Sequence, residues 1–207
     1  LSKVGPDSCP YKFNFHCHTT CSDGSMTPID LISQATKLNL EHIAVTDHHS
    51  TLSYNLMKEW LFEKSELGKE IPFLWTGVEI TCLLKKCLIH TLALGIDINS
   101  NIIKKYTLGE SATGDALNAK NVVNSIHDAG GMAFLAHPAR YRIPFSDLLE
   151  ESKIVNFDGA EVWYDYNHSS IWSPTPFICE KINNKVRQLN MYATCGTDTH
   201  GYDLLGR

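Results

Sequence analysis

The sequence predicts an α/β fold in which short, mostly parallel strands approach a barrel-like closure. Three observations carry this. Apolar extended runs recur along the chain, helical segments fall between several of them, and Gly, Asp, Pro or Thr bound most of the runs. The expected strands are 13–18, 42–47, 73–80, 88–94, 132–136, 159–164 and 191–196. Seven strands in so short a chain favour closure over a long open sheet.

The helices follow in order. Thr27-Pro28 supplies an N-cap and a proline at the first helical position. Ile29, Ile32, Ala35 and Leu38 then keep a helical period that fades near Asn39. A second helix is expected over 51–67, ended by Gly68, and a third over 115–129, ended by Gly130-Gly131. Segments 146–152 and 175–189 complete the set. Only 97–114, rich in Asn, Ser, Lys and Gly, lacks periodicity and reads as a short loop or flap insertion. No repeat or linker composition divides the 207 residues, so one domain with a core of about 11–203 is expected.

Bulk properties narrow the partners. The formal charge of −5 gives no basic field for a nucleic-acid backbone, so no stable duplex DNA binding is expected. No apolar run approaches the roughly 18 to 20 residues that cross a bilayer. The chain opens on Leu1-Ser2-Lys3-Val4 without Met, the start expected of a trimmed product and not of a signal peptide. Seven scattered cysteines do not form a secreted disulfide framework; reduced thiols and a cytoplasmic location are expected.

The ten histidines matter by position. His16 and His18 lie two apart on an extended run, so both face one way and Cys17 the other. Asp198 and His200 repeat that spacing near the last strand. His48, Glu79 and His137 each end an apolar run, at the rim where parallel α/β barrels build their sites. His90 lies deeper in its run and should look into the barrel. One histidine in a strand is ordinarily a hydrogen-bonded core residue. Many buried ionisable groups on separate strands are costly without a partner, and a metal cluster supplies one.

Competing chemistries fare worse. A four-cysteine structural zinc site needs a second close pair, yet Cys82 and Cys87 flank a Leu-Leu-Lys-Lys turn between two strands. There is no Gly-x-Ser-x-Gly elbow and no Gly-rich phosphate loop.

Together, His16-Cys17-His18 with Ser22-Asp23-Gly24, Thr46-Asp47-His48, Gly77-Val78-Glu79, His90, His137-Pro138-Ala139-Arg140 and Gly196-Thr197-Asp198-Thr199-His200 resemble the PHP (polymerase and histidinol phosphatase) family of metallo-phosphoesterases. The motifs keep the family's order from residue 16 to 200. The resemblance implies a distorted (β/α)7 barrel and three divalent transition-metal ions (Zn, Mn or Fe). Its nine implied ligands are His16, His18, Asp23, His48, Glu79, His90, His137, Asp198 and His200, with Glu79 bridging and a metal-bound hydroxide as nucleophile. Glu79 and Asp198 would thus serve catalysis directly. Asp47 is expected to act beside them by orienting a ligand, since adjacent strand residues face opposite ways.

Arg140 is the expected phosphate clamp, because its planar fork matches two phosphate oxygens; Arg142 and Lys120 are weaker versions of the same idea. His49, His168 and Tyr141 could line the pocket, whereas His42 and His127 read as ordinary. Some nucleotide-cleaving members of the family carry a larger helical insertion where this chain has only 97–114, which should leave the site more open.

The leading expectation is a metal-dependent phosphoric ester hydrolase acting on a small phosphorylated substrate, a nucleotide or short oligonucleotide. A histidinol-phosphatase-like activity would need an acidic or aromatic pocket, which Glu161, Trp163, Tyr164 and Asp165 could provide. A non-catalytic module stabilising a polymerase is the alternative of another class; such modules often lose ligands, and this chain has kept every one.

Overall fold

In the computed structural model, which describes residues 1, 3–169 and 171–206, two sheets carry the chain. Strands β1 (Phe13–Asn14), β2 (His42–Ala44) and β3 (Phe73–Trp75) form a parallel three-stranded sheet. Strands β4 (Gly77–Leu84), β5 (Cys87–Leu94), β6 (Met132–Leu135), β7 (Gly159–Trp163) and β8 (Tyr192–Cys195) form the second, in that order. There β4–β5 and β5–β6 are antiparallel, while β6–β7 and β7–β8 are parallel.

The α/β class stands, but the ladders do not close into one continuous barrel. The expected strand 73–80 divides at Thr76, giving eight strands among the described residues. Thr76 turns the chain from one sheet to the other, its hydroxyl donating to the Ile96 carbonyl at 2.7 Å. Among the described residues, isolated bridges and backbone hydrogen bonds join the sheets. Cys17 pairs with Thr199 at one seam and His48 with Glu79 at the other. At the first seam the Phe15 N–H donates to Cys195 and the His18 N–H to Thr199. At the second, the His49 N–H donates to Glu79.

The β4–β5 turn is set by Lys85 and Lys86, both at positive φ as a two-residue hairpin turn requires. Because β5 runs antiparallel, its early residues lie beside the C-terminal ends of the parallel strands. That reversal brings His90 to the mouth of the site, half-buried, and corrects the expectation that it looks into a barrel.

Helices cover each sheet. On the smaller sheet, α1 (Pro28–Lys37) is capped by the Thr27 hydroxyl, which accepts from the Asp30 N–H, and buries Pro28, Leu31, Ile32 and Ala35. Ile29, expected on that face, is exposed instead. Leu31, Ile32 and Ala35 pack with Ile43, Val45, and Met57 and Leu61 of α2 (Leu52–Glu66). On the larger sheet, α3 (Ala119–Asp128) is capped by the Asn118 side chain, and α4 (Phe145–Ile154) and α5 (Pro176–Gln188) follow. Their Val122, Ile126, Leu148, Ile182 and Val186 pack against Phe134, Ala160 and Val162. Segment 97–114 is more ordered than its composition suggests. It buries Ile103 and Tyr106, and its Gly109 N–H donates to the His49 carbonyl.

Candidate metal centre

The two seams bring the polar residues together. Beyond β1, His16 and His18 project toward Asp198 and His200, which follow β8; beyond β2, His48 meets Glu79 of β4. Backbone hydrogen bonds hold these segments side by side: the Asp198 N–H donates to the His16 carbonyl at 2.8 Å and the Glu79 N–H to the Asp47 carbonyl at 3.2 Å. His137 and Asp198 both take positive φ, 28° and 52°, a conformation that non-glycine residues hold only when their surroundings enforce it.

Glu79 is the hub. Its Oε2 lies 3.1 Å from His16 Nε2, 3.2 Å from His18 Nε2 and 3.4 Å from His48 Nδ1. Its Oε1 lies 2.9 Å from His90 Nδ1 and 3.6 Å from His137 Nε2. Asp198 turns Oδ1 to His16 and His18, at 3.2 and 3.3 Å. Its Oδ2 accepts from the Tyr164 hydroxyl at 2.6 Å and from Arg140 Nη1 at 3.0 Å. Asp23, more exposed, lies 3.3 Å from His200 Nε2 and 3.8 Å from His48 Nε2.

Three sets of donor atoms lie within 4.8 Å of one another: His18, Asp23, His48 and His200; His16, His18, Glu79 and Asp198; and His48, Glu79 and His90. His137 adjoins the third through Glu79. All nine residues expected as ligands therefore converge on one site.

Electrostatics follow from that crowding. Burial pushes the Glu79 and Asp198 carboxyls up, yet the facing histidines outweigh it and hold both well below the usual carboxylate range. Burial pushes His18 down, but the facing Asp198 and Glu79 carboxylates outweigh it and raise it to about 9. His48, desolvated and beside other imidazoles, falls to about 4. The fit to metal is visible in atoms left without a partner: both ring nitrogens of His18, Oε1 of Glu79 and Nδ1 of His137 are buried with no hydrogen bond. A cation would satisfy such donors, and nitrogen and oxygen ligands suit zinc, manganese or iron.

Asp23, His48, Glu79, His90, His137, Asp198 and His200 line a cleft of about 420 Å³ with Arg140 and His168 on its wall, while His16 and His18 lie buried behind it. Arg142 is exposed and outside that lining, as is Lys120, so the expected phosphate contact falls to Arg140. Asp47 accepts from the Thr19 N–H and hydroxyl and from the Ser22 hydroxyl, at 2.6 to 2.9 Å. It thereby holds the turn that presents Asp23. Tyr141 stands behind the cluster, its hydroxyl accepting the His90 N–H at 2.8 Å. His49 bonds to the flap through Ser111 instead of lining the cleft. His42 pairs with Trp75 and His127 with Asp158. The cysteines play no part: Cys17 packs behind its strand, and all seven are free.

Sequence reasoning missed two partners. Tyr164 serves Asp198 and Glu161 contacts His16, two residues that the sequence offers only as a possible acidic or aromatic pocket for histidinol phosphate. Glu161 and Asp165 are buried away from the cleft lining, and Trp163 belongs to the core. A charged residue inside an otherwise apolar strand was the available signal for Glu161.

Comparison with known proteins identifies the family. The model of the PHP domain matches residues 14–154. An uncharacterized protein of Methanocaldococcus jannaschii is 30% identical over 196 residues, 91% of this chain and 81% of that protein. A 5′-3′ exoribonuclease of Haemophilus influenzae is 28% identical over 154 residues, 69% of this chain; the match spans only 54% of that enzyme. A crystal structure from Bifidobacterium adolescentis, of a protein inferred to be a metal-dependent phosphoesterase, superposes with a TM-score of 0.73 at 22% identity. The match covers 93% of this chain and 89% of that one and speaks to the fold alone.

Proposed function

The chain belongs to the PHP family of metal-dependent phosphoesterases, and from that premise we propose that it hydrolyses a phosphate ester of a nucleotide or short oligonucleotide at a three-metal site. The observation that carries the reading is Glu79, a carboxylate 1% exposed and ringed by five imidazoles, with buried atoms of Glu79, His18 and His137 left without a hydrogen bond. One ion would be held by His16, His18, Glu79 and Asp198, one by Asp23, His48 and His200, and one by Glu79, His90 and His137. Bridging by Glu79 is supported by its two oxygens facing different histidines. The isolated bridges at the seams support reading the two sheets as one incompletely closed (β/α)7 barrel, with the chain acting as a single PHP domain.

When bound, such ions lower the pKa of water toward about 7 and polarise phosphoryl oxygens. The chain's own residues do the rest. Arg140, at the cleft wall, is 39% exposed and keeps one nitrogen on Asp198 and Tyr164, so the rest of its fork can meet phosphate oxygens. Tyr164, whose pKa burial and Asp198 push up, keeps its proton on the bond to Asp198 Oδ2. That bond and Arg140 fix the carboxylate so that Oδ1 stays on His16 and His18. Asp47 fixes the turn that carries Asp23.

A nucleotide or short oligonucleotide is supported by the cleft's size and by the likeness to an exoribonuclease. Histidinol phosphate loses its support, because Glu161, Trp163 and Asp165 do not line the cleft. The complete donor set speaks for catalysis over a purely structural module.

Elemental analysis combined with a phosphate-release screen over nucleotides, dinucleotides, short RNA, histidinol phosphate and sugar phosphates, with Mn2+ and Zn2+ compared, tests the reading. About three ions per chain and release from a nucleotide or RNA substrate are expected. One ion or fewer, or turnover confined to histidinol phosphate, would overturn it.

A further inference from the structure

A carboxylate on the far side of His16 has no place in the ligand set, yet it is as buried as the ligands. Glu161 lies within β7, between Ala160 and Val162, which join the core under the helices. Strand alternation turns Glu161 the other way, toward the seam. It is 0% exposed. A carboxylate with no water around it is costly unless its oxygens are occupied.

They are occupied by two of the residues that ring Glu79. Oε1 and Oε2 lie 3.0 and 3.2 Å from His16 Nδ1, and Oε2 also accepts the His137 backbone N–H at 2.8 Å. Contact with His16 requires space beside it, and Gly196 provides that space. A Cβ at Gly196 would come within 2.2 Å of His16 Cβ and 2.9 Å of Glu161 Oε1.

Resting on the metal-site reading above, we propose that Glu161 is a positioning residue that fixes His16 as its Nδ1–H tautomer and holds its Nε2 lone pair toward Glu79 and Asp198. An Nδ1–H donating to Glu161 leaves Nε2 unprotonated, 3.1 Å from Glu79 Oε2 and 3.2 Å from Asp198 Oδ1. The same carboxylate anchors His137 at its N–H, where the backbone holds φ of 28°. One side chain on β7 thus registers two metal-facing histidines delivered by different strands. Glutamine cannot replace it: the amide has one acceptor oxygen, so its NH2 must face one of the two donors.

The test uses the full chain as wild type, E161Q, H16A and the H16A/E161Q double variant. Each is loaded with Zn2+ and titrated against a competing chelator. Long-range 1H–15N NMR reads the His16 tautomer in loaded wild type. E161Q is expected to weaken metal binding about 10- to 100-fold, the usual effect of losing an outer-shell partner. In the H16A background the same change should cost little. The wild-type spectrum should show His16 protonated at Nδ1.

Wild-type affinity in E161Q would overturn the proposal, as would an equal loss in both backgrounds, which marks a general structural role. A His16 protonated at Nε2 in wild type would overturn it even if every variant failed to fold. If wild type loads Zn2+ normally while these results fail, only the positioning role falls. If wild type takes up no metal, the three-metal reading falls and this inference with it.

Discussion

Asp198 divides its oxygens between two tasks, and the division decides what substitution there should do. Oδ1 faces His16 and His18, whereas Oδ2 accepts from Tyr164 and Arg140. Asp198→Asn keeps the shape but loses the charge, and its NH2 must oppose donors on one side. Phosphate release is expected to fall at least about 10²-fold, with the circular dichroism spectrum unchanged. Parental activity and metal content in the variant would remove Asp198 from the site. Arg140→Lys keeps a charge but loses the planar fork, so kcat/KM should drop about 10- to 100-fold, mainly through KM. Steady-state kinetics on whichever phosphate ester the screen selects reads that split.

The histidines also set a pH response in protein stripped by a chelator. His18, raised to about 9 in the fold, contributes stability that is complete below about pH 6.5 and lost as pH rises through about 9. His48 runs the other way. Its folded value of about 4 lets the unfolded chain take up the proton first, so stability falls as pH drops from about 6.5 toward 4. Thermal melts across that range should peak near pH 6.5. A melting temperature still rising at pH 9 would contradict the assignment of these two groups.

At the scale of elements, the close approach of the strands that carry His16 and Asp198 rests on Gly196. The Cβ of Gly196→Ala would collide with His16 Cβ and its backbone nitrogen, at 2.2 and 2.7 Å. Backbone cannot yield cheaply, so a loss of about 1–3 kcal/mol or more is expected in denaturant unfolding, with weaker metal binding. The β5–β6 boundary offers a milder test. Ladder pairing runs out at His90, whose N–H is taken by the Tyr141 hydroxyl instead. Tyr141→Phe leaves that N–H without its acceptor and should cost about 1–3 kcal/mol. An unchanged unfolding midpoint would show that the bond contributes nothing.

Across the whole molecule, the two sheets are joined where the polar cluster sits, so metal and fold should be coupled. Ions held by residues from both seams would bind the folded chain in preference to the unfolded one. At a thousandfold excess over Kd that linkage is worth about 4 kcal/mol. Removing metal is therefore expected to lower the melting temperature by about 10 °C, restored by adding Mn2+ or Zn2+.

Much of this was legible in the residues. Parity along the first apolar run placed His16 with His18, because side chains on extended chain alternate whatever the fold; the same spacing at Asp198 and His200 lies on chain that Asp198 turns to positive φ. Caps and glycines located the helices to within a few residues. The ordered motifs identified the family. Parity could not reveal that 73–80 breaks at Thr76 to change sheets, or that β5 runs antiparallel and lifts His90 to the mouth. Strand direction and sheet membership depend on pairing between distant segments, which local sequence does not encode. For the same reason Glu161 read as a pocket acid. Its chemistry was visible at once, but only the packing of β7 against the seam decided that it faces His16 rather than the cleft.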